Sequence, residues 1–297
     1  MLKQQIRDII DRCAPTDGVF ETGLPGVQLF RVASPIECAP AIYEPTIVAI
    51  LNGSKEAILD GKKLTYDKDK YLCCTMSMPV EAGTPQASPD NPLIGVTISL
   101  KARVMTELSL AMENSSGALR QPKAGRLPQG LALSSWDQQF SDALLRLLRI
   151  IPNPVDRQVL GEGRLREVYY AILQGEAKAS VRRAFGVGNE IARVIERLSA
   201  HLDQSISVED LAKHAGMSRA VFHRKFKEAT TMSPLQFLKT MRLNKAAMQI
   251  ASGTSVSEAS RNVGYTSASQ FSREFKRTYG QSPKKWGLSS NVPSGVL

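Results

Sequence analysis

Histidine is scarce in this chain and its cysteines are not spaced for metal or redox work; both shortages remove whole classes of chemistry. The 297 residues hold three histidines, His201, His214 and His223, and none lies in residues 1–180. A histidine-based metal site or a histidine-driven triad is therefore excluded from the front of the chain. The four cysteines, Cys13, Cys38, Cys73 and Cys74, show no CxxC spacing, which argues against a zinc cluster or a redox pair. The carboxylates are scattered, with no evident acid–base pair. No apolar run approaches the length of a membrane span, and the first residues, MLKQQIRDIIDRC, lack the apolar core of a secretory signal. The expectation is a cytoplasmic chain without catalytic residues, metal or cofactor, and without membrane contact.

Charge is present but unevenly placed. Residues 1–180 hold 20 Lys+Arg and 20 Asp+Glu, whereas residues 181–297 hold 18 and 8, so the last third carries the entire net charge of +10. An excess confined to one segment is the electrostatic footprint expected for a polyanionic partner.

The same segment contains an internal repeat. Ser207, Val208 and Gly216 recur 48 positions later as Ser255, Val256 and Gly264. After one inserted residue, Phe222, Arg224, Phe226, Lys227, Ser233 and Pro234 recur 49 positions later as Phe271, Arg273, Phe275, Lys276, Ser282 and Pro283. Each copy has the punctuation of a helix, a glycine turn and a second helix, at 207–230 and 255–279, which is a helix-turn-helix. Ser207 with Asp210 and Ser255 with Glu258 start the first helix of each unit as capping boxes. Ser218 and Thr266 are placed to cap the second. Phe222 and Phe226, like Phe271 and Phe275, are four apart and anchor that helix to the core. Its opposite face carries Arg219, Ala220, His223, Arg224 and Lys227 in the first copy, and Ser267, Ala268, Ser269, Ser272, Arg273 and Lys276 in the second. Small residues allow close approach to a major groove; Arg224 and Arg273 suit guanine O6 and N7, and the lysines suit phosphates. A helix from Pro234 to Ala251, roughly 25 Å long, joins the units and sets two such helices about one DNA turn apart, roughly 34 Å.

The front of the chain reads differently. After a short helix broken at Pro15 and Gly18, residues 19–100 read as strands, with Asn52-Gly53 and Asp60-Gly61 as hairpin signals. Helical periodicity follows from about residue 101. A loop is expected at roughly 114–133, then a stripe of Trp136, Phe140, Ala143, Leu144, Leu147, Leu148 and Ile151. Another helix is expected with Val159, Leu165, Val168, Tyr169 and Ile172 inward. These helices either complete the core or pack against a second subunit. Residues 175–188 read as a junction and 287–297 as a disordered tail. The fold class is α+β: a small β-barrel with trailing helices in a domain at 1–180, and an all-α domain at 187–288.

Gly264-Tyr265, Phe271-Ser272-Arg273, Phe275-Lys276, Gly280 and Ser282-Pro283, with Arg242, Leu243 and Ala246, resemble the AraC/XylS family of bacterial transcription regulators. Thr231 departs from a frequent glycine, Trp286-Gly287 from a usual Tyr-Arg, and Ala220 is small for its place; these leave the base preference open. Residues 20–180, through Gly53, Gly61, Tyr66, Tyr71 and Pro79, resemble the cupin-like sensor barrel of one branch. The resemblance implies sequence-specific binding of double-stranded DNA, usually activating, with a small-molecule effector, a homodimer and contact with RNA polymerase. An alternative is a cupin-type enzyme fused to a DNA-targeting module. Cys73 and Cys74, in a strand, admit a thiol-sensing role or plain packing; packing is favoured because nothing basic adjoins them to lower a thiol pKa.

Overall fold

The structure, a computed structural model, describes residues 2–115, 130–186 and 189–289. The chain opens with helix α1 (Leu2–Cys13). Nine strands follow: β1 (Gly18–Glu21), β2 (Val27–Val32), β3 (Ile36–Tyr43), β4 (Thr46–Asn52), β5 (Ser54–Leu59), β6 (Lys62–Asp67), β7 (Lys70–Cys74), β8 (Met78–Thr84) and β9 (Leu93–Ser99). Then come α2 (Ala102–Ser115), β10 (Leu131–Ser135), α3 (Gln138–Arg149), α4 (Pro154–Gln174) and α5 (Lys178–Phe185). The strands form two antiparallel sheets, six-stranded in the order β1-β2-β9-β4-β7-β10 and four-stranded in the order β3-β8-β5-β6. Seven helices follow among the described residues: α6 (Glu190–Ala200), α7 (Val208–His214), α8 (Arg219–Thr230), α9 (Pro234–Ala251), α10 (Val256–Asn262), α11 (Ala268–Tyr279) and α12 (Pro283–Ser289). The expected α+β division into antiparallel sheets and a helical C-terminal part is the one observed.

The six-stranded sheet is covered on both faces, which is why its inner strands read as apolar runs rather than alternating ones. On β7, Tyr71 stacks on Phe140 of α3 with ring centroids 4.3 Å apart. Cys74 faces the other way, its thiol 3.7 Å from the Tyr43 carbonyl of β3. Cys73 and Cys74 are thus fully buried on opposite faces.

The two glycine turns part company. Asp60 and Gly61 both take positive φ, 50° and 74°, and close the β5–β6 hairpin. Asn52-Gly53 is no hairpin, because β4 pairs with β7 and β9 while β5 pairs with β6 and β8. It carries the chain from one sheet to the other, and the Asn52 amide donates to the Pro92 carbonyl at 2.7 Å.

Further expectations need correction. Residues 131–133, read as loop, begin β10, which pairs with β7; residues 116–129 of that loop lie outside the described residues. The junction at 175–188 contains α5, which buries Val181, Ala184 and Phe185. Val159, expected inward, is 73% exposed, although Leu165, Val168, Tyr169 and Ile172 on the same helix are buried. Residues 287–289, expected in the tail, belong to α12; the rest of the expected tail, residues 290–297, lies outside the described residues.

Packing does not divide the molecule between sheets and helices. One apolar core runs from α1 through both sheets into α6, α7, α8 and the first half of α9, as far as Met241. A second, smaller core joins Leu243, Ala246, Ala247 and Ile250 of α9 to Ala259, Val263, Phe271 and Phe275. Helix α9 lies against β3 and β8: the Asn244 amide donates to the carbonyls of Ala41 and Val80 at 2.8 and 2.9 Å. Near the helix start, Gln236 donates to the Asp60 carboxylate at the hairpin tip, at 3.3 Å. The Gly130 N–H donates to the Ala229 carbonyl near the end of α8 at 2.9 Å.

Candidate nucleic-acid interface

Both helix-turn-helix units are built by the same local devices. Ser207 and Ser255 cap α7 and α10 by accepting the N–H of Asp210 and Glu258. Gly216 and Gly264 then turn the chain at φ 63° and 81°. At Gly264 a side chain is also barred by space, since a Cβ would lie 2.7 Å from the Asp203 carbonyl oxygen. Ser218 caps α8 as expected, but α11 is capped by Ser267, one residue beyond Thr266. The inserted residue of the second copy moves the helix start by one place. The anchoring phenylalanines match closely: Phe222 and Phe226 have ring centroids 5.4 Å apart, Phe271 and Phe275 5.5 Å, and all four are fully buried.

With those rings inward, the opposite faces point outward. On α8, Arg219, Ala220, Arg224 and Lys227 are exposed and His223 is half-buried. On α11, Ala268, Ser269, Arg273 and Lys276 are exposed and Ser272 is half-buried. Three residues on these faces have other partners. Arg219 pairs with the Glu209 carboxylate at 2.7 Å. The Ser267 hydroxyl is taken up by its capping bond and lies 3.0 Å from the Ser269 hydroxyl. Gln270, which the sequence reading passed over, is exposed in the first turn of α11. Its carboxamide can serve adenine as readily as the arginines serve guanine; its place beside Ser269 was the available signal.

Basic residues elsewhere in the segment do structural work. Arg242 donates to the carbonyls of Leu202 and Gln204 at 2.8 and 2.7 Å, closing the loop after α6 onto α9. Lys239 pairs with Glu274 at 3.0 Å, and the same carboxylate accepts the Tyr265 hydroxyl at 2.8 Å. These contacts hold α11 against α9.

The other candidates sit far back in the molecule. Burial pushes the Cys73 thiol up to about 12 and raises the Cys74 thiol well above its ordinary value. Both are thiols rather than thiolates at neutral pH, which is the protonation state of packing groups. Among the described residues no cluster of three or more His, Cys, Asp or Glu side chains could hold a metal ion. None of the described helices is long and apolar enough to cross a membrane.

The family model for the AraC-type transcriptional regulator N-terminus matches residues 23–180, and a helix-turn-helix domain model matches residues 211–288. The regulator AlkR of Acinetobacter baylyi is 32% identical over 102 residues, 34% of this chain and 33% of its own length. The raffinose operon regulatory protein RafR of Pediococcus pentosaceus is 25% identical over 218 residues, covering 71% of this chain and 74% of RafR. Against AlkR and the Msm operon regulatory protein of Streptococcus mutans, the match spans about a third of the relative's length. ToxT of Vibrio cholerae, solved with a naphthalenyl-butenoic acid bound, superposes with a TM-score of 0.54 at 12% identity, covering 88% of this chain and 97% of ToxT. That likeness speaks for the fold. With the sensor-side model matched over more than half of the chain and the helix-turn-helix model behind it, this chain belongs to the family of AraC-type transcriptional regulators.

Proposed function

We propose that the protein is a cytoplasmic, sequence-specific DNA-binding regulator of transcription that reads two successive major grooves with α8 and α11. The observation that carries this reading is the repeated outward face, with Arg224 and Arg273 exposed at equivalent places and Lys227 and Lys276 one turn beyond. Arg224 and Arg273 read base edges. Lys227 and Lys276 hold phosphates, and Ala220, Ala268 and Ser269 allow close approach. Regulation is of the activating kind, with contact to RNA polymerase.

The paired sheets act as a cupin-like effector-binding barrel within a domain at 1–180, ahead of a DNA-binding domain at 187–288. A few polar groups converge inside an otherwise apolar interior, as in small-molecule sites. The hydroxyls of Tyr43 and Tyr66 lie 3.0 Å apart, and the Lys55 amine lies over the rings of Phe30 and Tyr43 at 5.9 and 5.7 Å. Cys73 and Cys74 serve packing.

The protein works as a homodimer through α4. Val155, Val159 and Tyr170 are 65%, 73% and 41% exposed along one side of that helix. Gly163 lies on the same side with nothing within 4 Å of where a Cβ would stand. A glycine costs a helix roughly 1 kcal/mol relative to alanine, and close approach of a second helix is a reason to keep one there.

The deciding experiment is capture of genomic DNA fragments by the purified protein, beside the Arg224→Ala/Arg273→Ala double variant. Enrichment of discrete fragments carrying two short boxes about one turn apart, roughly 34 Å, lost in the variant, is the expected outcome. Equal capture of all sequences by both proteins would overturn it.

A further inference from the structure

Asn244 stands where three parts of the molecule meet. It lies in the middle of α9 and is only 2% exposed. Its amide donates to Ala41 on β3 and Val80 on β8, and its carbonyl oxygen accepts the hydroxyl of Tyr279, the last residue of α11, at 2.7 Å. Both N–H groups and the oxygen are therefore engaged, as a buried carboxamide requires. The Tyr279 ring is held edge-on by Phe275 at 4.7 Å and tilted against Trp286 at 5.4 Å.

The division between the two apolar cores falls at the same place. Met241 belongs to the core shared with the sheets, and Leu243 to the core of the second helix-turn-helix. The first unit is packed into one body with the sheets; the second has its own small core. The exposed faces of α8 and α11 are not covered in this arrangement, so the contact fixes the direction of the second unit rather than hiding it.

We propose that Asn244 is a positioning residue that ties the attitude of the second helix-turn-helix to strands β3 and β8, so that a change in the sheets reaches α11 and leaves α8 in place. The inference rests on the DNA-reading function. Asparagine suits the task because one side of its carboxamide bonds the sheet and the other bonds α11, which lets two substitutions separate the links. Asn244→Asp removes the donors to the sheet and keeps an acceptor for Tyr279. Tyr279→Phe removes the bond to α11 and keeps the sheet contact.

The test uses the full-length protein and amide hydrogen exchange, which reads local opening. Losing a buried hydrogen bond should speed exchange in α10 and α11 by about tenfold, with α7 and α8 unchanged. Equal acceleration of both units, or none in either variant, would sink the proposal. Should Asn244→Asp unfold, Tyr279→Phe still decides it. A second arm measures binding to duplexes recovered by genomic capture. Both variants should lose about tenfold on a two-box duplex and nothing on one holding the first box alone; equal losses on both would again count against it. If the wild-type protein recovers no two-box fragment, the DNA reading fails, and the exchange arm alone judges the tie.

Discussion

Thr231 and Gly280 occupy the same place in the two units, and the difference between them is energetic. Each ends a recognition helix in the left-handed region, at φ 68° and 73°. Each donates its N–H to the carbonyl four residues back, on Lys227 and Lys276. A β-branched residue is disfavoured there where glycine is at ease, and the buried Thr231 hydroxyl has no hydrogen-bond partner among the described residues. Thr231→Gly should therefore stabilise the protein by about 1 kcal/mol, seen as a higher urea midpoint. Arg224→Ala or Arg273→Ala should each lose about 1–3 kcal/mol on specific DNA and relax the base preference nearby; titrations against single-base variants of the site check this. Lys227→Ala should instead weaken all sequences alike and flatten the salt slope by about one.

Lys55 makes a pH prediction at the same scale. Burial lowers its pKa from 10.5 to about 8. Between those values the unfolded chain binds more protons than the folded one, so stability should rise as pH climbs from about 8 toward 10.5 and stay flat below 8. Urea midpoints across that range should show the rise in the wild-type protein and not in Lys55→Met.

At the level of elements, local chemistry was legible and pairing was not. The helix faces of α8 and α11 could be read because the repeat shows each twice, and the Asp60-Gly61 hairpin because both residues favour positive φ. Asn52-Gly53 carries the same dipeptide signal, yet its flanking strands belong to different sheets, a matter decided by β7 and β9 far along the chain. Strand β10 escaped because Leu131–Ser135 is short and follows a Gly- and Pro-rich stretch. The contact of Asn244 with the sheets was hidden for a different reason: its partners there are backbone carbonyls, which leave no mark in sequence, and on α9 alone it reads as one polar residue. Helix α4 yields its own prediction. Val159→Glu on the exposed side should shift the protein from dimer to monomer in sedimentation while leaving its circular dichroism unchanged, since that side chain is outside the core.

Across the whole molecule, charge and packing divide differently. The net charge of +10 falls entirely after residue 180, whereas the larger core continues to Met241. Electrostatics thus marks both helix-turn-helix units as one DNA-facing body, and hydrophobic burial marks the first as part of the sheets. That mismatch bears on modularity. Grafting the helical segment onto a foreign sensor at residue 187 would leave a clean charge boundary and a torn core. Asn244 would then have two amide hydrogens buried against whatever the new sensor offered, and α6 to α8 would lose the apolar floor they share with the sheets. A working chimera has to carry the edge strand β3 and its neighbour β8 along with the DNA reader, or join only the second half of α9 with α10–α12, the part that brings a core of its own.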